Sequence, residues 1–127
     1  MGRWQKLSDK PLTYCDVAHN KDGMHEVLQQ IMQTHHNHLH FVLGMVSDKD
    51  IAGILSELPT NATYYFCKAD IPRALDTETL KTHAALFHLS GKSFQSVKEA
   101  LNAAQANAGE NDLVFVGGSA FIVAEVL

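Results

Sequence analysis

Hydrophobic and polar positions alternate along this chain in two periods, and the switches between them mark the elements. Leu12 to Val17 has the strand period. The polar turn Asn20 to Gly23 then leads into a helix whose apolar face is Met24, Val27, Leu28, Ile31 and Met32. Leu39 to Val46 is an apolar run that predicts a second strand. Asp50 caps a short helix carrying Ile51, Ile54, Leu55 and Leu58 on one face, and Pro59 stops it. Ala62 to Phe66, rich in tyrosine, predicts a third strand. Asp76 caps a helix with Leu80, Ala84 and Phe87 inward, and a very short strand is expected near Leu89. Ser96-Val97-Lys98-Glu99 fits a capping box ahead of Ala100, Leu101 and Ala104. Leu113 to Val116 predicts the last strand, and a final helix starts at Ser119. Strands and helices that alternate in this way predict an α/β domain, a mostly parallel sheet with helices on both faces.

Composition narrows the class. The 127 residues are 46% hydrophobic and 19% charged, enough for one domain with a proper core. The net charge is -4 and the pI about 6.0, which argues against a nucleic-acid partner. No apolar stretch is long enough to span a membrane and no signal peptide opens the chain. Cys15 and Cys67 fall in or beside strands and read as reduced, buried thiols of a cytoplasmic protein. Residues 1–127 are expected to be a single domain cut from a longer protein, with Met1 an added start. Residues 1–10, holding Arg3 and the sole tryptophan, read as a lead-in from an interdomain linker.

Three strand tips carry candidate chemistry. After the first strand comes Asp16-Val17-Ala18-His19-Asn20, where open α/β sheets tend to bind ligands. Asp16 has two readings: it accepts both hydroxyls of a ribose, or it caps the turn. His19 either donates to a substrate carboxylate or is a solvated loop residue. Asn20 reads as a turn former. At the last tip, Gly117 and Gly118 allow close backbone approach to a ligand. Ser119 stands at a helix start, either beside an anion site or as an ordinary cap. The third tip offers Asp48 and Lys49 as cleft lining, or as a solvated pair of opposite charges. Gly91-Lys92-Ser93 looks like the end of a phosphate loop, but the glycine that motif needs is replaced by Leu86. Any triphosphate must therefore be held by another domain. His36, His38 and His40 alternate and would share a strand face, which suggests zinc. They also span a helix end, where a basic cluster has its own electrostatic reason to exist.

Five segments occur in one order: Gly2-Arg3-Trp4, Asp16-Val17-Ala18-His19-Asn20, Gly44-Met45-Val46-Ser47-Asp48-Lys49-Asp50, Pro72-Arg73-Ala74 and Gly118-Ser119-Ala120-Phe121-Ile122-Val123-Ala124-Glu125. Together they resemble the C-terminal domain of folylpolyglutamate synthase/dihydrofolate synthase, in the Mur ligase superfamily. The resemblance implies a Rossmann-like fold and an ATP-dependent ligase. A carboxylate on dihydropteroate or a folate is phosphorylated by ATP with magnesium, and the amine of L-glutamate attacks the acyl phosphate. A larger N-terminal domain, absent here, carries the phosphate loop, the magnesium ligands and the folate pocket, so this domain alone is expected to be inactive and to contain no metal site or catalytic residue of its own. The resemblance gives Arg3 to ATP, Asp16 to the nucleotide ribose, and His19 with Ser119 to glutamate. It gives no role to Arg73, which either lines the cleft or pairs with a neighbouring acid. The glutamate assignment makes a demand on the structure: the side chains of His19 and Ser119 must face one cleft, and neither can be sealed in the core.

Two other classes compete. A receiver-like signalling domain fits the length and alternation, but its third strand should end in a phosphorylatable aspartate. Here Cys67 and Lys68 stand there and Asp70 lies beyond. A metal-binding module would use the histidine cluster.

Overall fold

The computed structural model describes residues 2–47 and 50–127. Among these residues the strands are β1 (Gln5–Asp9), β2 (Leu12–Cys15), β3 (Leu39–Leu43), β4 (Ala62–Phe66), β5 (Gly91–Ser93) and β6 (Leu113–Gly117). The helices are α1 (Lys21–Gln33), α2 (Ile51–Leu55), α3 (Thr77–Ala85), α4 (Val97–Asn107) and α5 (Ala120–Ala124). The strands form one sheet in the order β1-β2-β6-β3-β4-β5. All neighbours are parallel except β1 and β2, an antiparallel pair. The expected mostly parallel α/β sheet is what forms.

Strand alternation sorts the core into two layers. Phe41, Leu43, Tyr64, Phe66, Leu113 and Phe115 point to one face, where Met24, Val27 and Ile31 of α1, Ile54 and Leu55 of α2, and Leu80 and Ala84 of α3 cover them. Val42, Tyr65, Val114 and Val116 point to the other, under Val97, Ala100 and Ala104 of α4 and Ile122 and Val123 of α5. The strands buried on both sides are therefore mostly apolar, as parallel strands should be, with His40 in β3 and Thr63 in β4 as the polar positions.

Each helix starts on a side-chain cap. Asn20, Asp50, Asp76, Ser96 and Ser119 accept from the backbone N–H of Gly23, Gly53, Thr79, Glu99 and Phe121 respectively. Each such cap is worth about 1 kcal/mol.

Some expectations need correcting. The helical spacing predicts Met32 on the buried face of α1, but it is 82% exposed. The inward stripe is Met24, Val27 and Ile31, and Met32 lies a further ~100° round the helix. Phe87 is only half-buried, just past α3. The second strand ends at Leu43, and Val46 makes a lone antiparallel bridge to Ala74. Residues 5–9 of the lead-in form the edge strand β1, which the pattern did not predict. Its Leu7 packs against the core while its other positions are polar. The receiver-like reading fails on topology. That fold has the strand order 2-1-3-4-5, whereas here the last strand is inserted between the first and second parallel strands.

Candidate functional site

β2 and β6 lie side by side in parallel, from Leu12 opposite Leu113 to Cys15 opposite Val116. The chain leaves β2 for α1 on one face and leaves β6 for α5 on the other. That divergence opens a crevice at the carboxyl ends of the strands, the place where open α/β sheets bind ligands. Beside it is a cavity of about 720 Å³. Arg3 and Trp4 line it, with Asp16, His19 and Asn20 at the β2 tip and Glu26 and Gln30 on α1.

Asp16 is at the centre. Its Oδ1 accepts from the Ala18 N–H at 2.9 Å and its Oδ2 from the Trp4 N–H at 2.8 Å. The turn-capping reading is thus realised. The ribose reading survives with it, because an ionised carboxylate has about four acceptor sites and Asp16 remains half-exposed at the cavity wall. Arg3 is exposed and lines the same cavity. Asn20 is the turn former expected, its Oδ1 accepting from Gly23 N–H at 2.8 Å.

His19 is exposed on the cavity wall, its Nδ1 lying 3.3 Å from the Val17 carbonyl. A carbonyl only accepts, so this contact places the ring proton on Nδ1. Nε2 of the neutral ring is then an acceptor, and only the imidazolium donates on both sides.

Ser119 does not meet the demand made of it. It is 2% exposed, and its Oγ accepts from the Phe121 N–H at 3.0 Å. The hydroxyl caps α5, and the cavity that takes in His19 does not include it. The shared-cleft arrangement of His19 and Ser119 is therefore corrected.

The reason for Gly117 and Gly118 also changes. Gly118 has φ +106°, and a Cβ there would run into the Gly44 carbonyl oxygen. A Cβ on Gly117 would lie 2.6 Å from the Phe115 ring. Gly118 lets the β3 and β6 tips approach each other, and Gly117 makes room for the Phe115 ring beside the Asp16 carbonyl. Asp48 and Lys49 lie outside the described residues. Arg73 is drawn to the β3 tip by its own backbone: its carbonyl accepts from Ser47 N–H at 2.8 Å, and Leu75 N–H donates to the Met45 carbonyl at 2.8 Å. Its guanidinium lies over the Phe121 ring, 5.4 Å from the centroid. It packs on α5 and does not line the Asp16 cavity.

The histidines do other work. His40 is buried and bridges Asp112 Oδ2 at 2.9 Å and the Tyr65 hydroxyl at 2.8 Å. The Asn107 amide also donates to that hydroxyl, and His38 meets Thr63 Oγ1 at 2.8 Å. The Gly109 N–H, then His40, hold the Asp112 carboxyl below its ordinary range. This network sits at the amino end of the sheet and ties the α4–β6 loop to β3 and β4. Among the described residues no three His, Cys, Asp or Glu side chains are grouped to hold a metal. Burial pushes the Cys67 thiol up to about 12 and raises Cys15 as well, so neither is an ionised nucleophile at neutral pH.

Sequence reasoning missed two features here. One is Trp4, whose ring stacks on Tyr14 at 4.5 Å and near Phe115 at 6.0 Å. The other is the partnership of His40 with residues far along the chain.

A crevice at the carboxyl ends of a mostly parallel sheet makes this an open α/β domain, and the comparisons make the class specific. Residues 2–120 match the family model described as Mur ligase, glutamate ligase domain. The chain belongs to that family. It is 37% identical over 128 residues to the dihydrofolate synthase/folylpolyglutamate synthase of Escherichia coli K12, covering 99% of this chain and 29% of that protein. It is 35% identical over 127 residues to a probable bifunctional folylpolyglutamate synthase/dihydropteroate synthase of Haloferax volcanii, covering 98% of this chain and 15% of the relative. Among solved structures, E. coli FolC in complex with DHPP and ADP superimposes with a TM-score of 0.87 at 36% identity, covering 98% of this chain and 30% of that one. A bifunctional folylpolyglutamate synthase/dihydrofolate synthase with Mn, AMPPNP and L-glutamate bound gives a TM-score of 0.88 at 34% identity, again covering 98% and 30%. The chain thus spans less than a third of the length of these relatives. No helix among its described residues is long and apolar enough to cross a membrane.

Proposed function

We propose that this chain is the glutamate-ligase domain of a longer, cytoplasmic, ATP-dependent enzyme that joins L-glutamate to dihydropteroate or a folate through an acyl phosphate. The observation that carries the reading is the cavity at the β2 tip, where a cationic side chain and a carboxylate face the same space. Arg3 pairs with nucleotide phosphate, a task for which a guanidinium on a flexible stem is suited. Asp16 keeps acceptor capacity for the ribose hydroxyls. His19 contacts the incoming glutamate. As imidazolium it pairs with a carboxylate. In its neutral form, with the proton on Nδ1, it accepts from the amine. Ser119 contributes by fixing the start of α5.

Magnesium, the phosphate loop and the folate pocket belong to the N-terminal domain that is the partner of this one. Closure of the two domains excludes water from the acyl phosphate, which would otherwise hydrolyse. Solved relatives that hold ADP, or Mn, AMPPNP and L-glutamate, support this reading.

The test is a transplant. Residues 2–127 replace the matching C-terminal segment of the E. coli relative. The isolated domain, given ATP, magnesium, dihydropteroate and glutamate, turns nothing over, and the chimera forms the glutamate adduct. A folded chimera that makes no adduct, or turnover by the isolated domain, overturns the reading.

A further inference from the structure

The segment that presents Arg3 is held in an unusual way. Gly2 and Trp4 both have positive φ, +79° and +41°. For glycine that is free of strain, but for tryptophan it is a left-handed conformation that surrounding contacts must impose. The contacts are visible. The Gly2 carbonyl accepts from Val17 N–H at 2.7 Å, and Trp4 N–H donates to Asp16 Oδ2 at 2.8 Å. The residues on either side of Arg3 are thus tied to consecutive residues of the β2 tip. The indole adds a third hold, lying parallel to Tyr14 with 10° between planes. Between these tethers Arg3 itself is exposed and lines the cavity.

We infer that Trp4 is a positioning residue: its clamped indole and its N–H bond to Asp16 aim Arg3 at the nucleotide phosphates, so that the ribose anchor and the phosphate anchor act as one unit. A long exposed arginine on a loose segment would lose much conformational freedom on meeting a phosphate. A segment fixed in advance removes part of that cost. Asp16 thereby has a second task. The carboxylate proposed for the ribose also holds the backbone next to the phosphate-binding side chain.

The inference rests on the ATP reading above, and the experiment separates the two. In the chimera, adenosine and ADP affinities are measured for the wild type and for Arg3→Ala, Trp4→Ala and Trp4→Phe. The advantage of ADP over adenosine reports the phosphate contacts, and its change on substitution at Arg3 or Trp4 isolates this segment's share of them. Arg3→Ala should cut it about tenfold or more, the effect of a lost charge-assisted bond. Trp4→Ala should cut it nearly as far while adenosine affinity stays within about twofold, and Trp4→Phe, which keeps a ring on Tyr14, should restore most of it. A Trp4→Ala loss shared equally by adenosine and ADP, or no loss, overturns the positioning role while the ATP reading stands. An unchanged ADP affinity in Arg3→Ala overturns both.

A second measurement needs no nucleotide and no Trp4 variant. Trp4 is the only tryptophan of the chain. In the 127-residue protein Asp16→Ala should shift its emission to the red and open it to acrylamide, because the tether is cut. Emission and quenching identical to wild type overturn the coupling.

Discussion

Ser119 is where two physical roles are most sharply opposed. A serine that touches glutamate and a serine that caps a helix are the same residue in the same sequence context. Removing Oγ in Ser119→Ala strands the Phe121 N–H, which it accepts at 3.0 Å in a site only 2% exposed. Loss of an N-cap costs about 1 kcal/mol, and glycine at the same position costs only a few tenths. α5 has five residues, so its docking depends on that cap together with Ile122, Val123 and the Glu125 carboxylate, which accepts from Asp70 N–H at 2.7 Å. For a domain of this length, 1 kcal/mol corresponds to a Tm change of about 4 °C. Ser119→Ala should therefore melt about 4 °C lower than wild type and Ser119→Gly about 1 °C lower, by circular dichroism. In the chimera the glutamate KM should follow the same order, with alanine worse than glycine. Equal, large rises in KM for the two variants, with no loss of stability in either, would refute the capping argument and return Ser119 to direct contact.

Other outcomes follow from the site and the core. Arg3→Ala should raise the ATP KM about tenfold or more and leave the glutamate KM within about twofold; steady-state kinetics of the chimera checks it. His19→Ala should do the reverse, weakening glutamate use about tenfold with ATP affinity nearly intact, and a selective loss of ATP affinity instead would remove His19 from the glutamate site. The Asp112 carboxyl is held below its ordinary value of 3.8 in the folded state. Its contribution to stability is therefore full above that value and is lost as pH falls further. Asp112→Asn should flatten the acid arm of a urea-midpoint profile below about pH 4, where that linkage acts. Cys67, pushed up to about 12 by burial, should stay unlabelled by thiol reagents at pH 8 until the domain unfolds, and rapid native labelling would contradict its placement.

Much of the architecture was legible because it rests on local physics. Period-two and period-3.6 patterns fix strands and helices, and the caps Asn20, Asp50, Asp76 and Ser96 announce helix starts through hydrogen bonds that span three residues. Asp16 and Arg3 could be marked as candidates because strand tips of a parallel sheet collect at one edge. What stayed hidden depends on neighbours distant in sequence. β1 shows only a weak alternation, and it becomes a strand because β2 offers an open edge. Trp4 read as a linker residue until Tyr14 and Phe115 supplied a surface for its ring. The alternation of His36, His38 and His40 suggested a metal, but His40 takes its partners from positions 65 and 112. Ser119 and Met32 were misplaced for a related reason: burial is set by what packs on top, and neither a cap motif nor a helical period records that. The sequence by itself determined the elements from β2 onward and their order along the chain, since each follows from bonds and periodicities within a few residues. Only the tertiary structure decided which polar groups face the cavity and which are spent on the fold, because that choice is made by atoms brought together from remote parts of the chain.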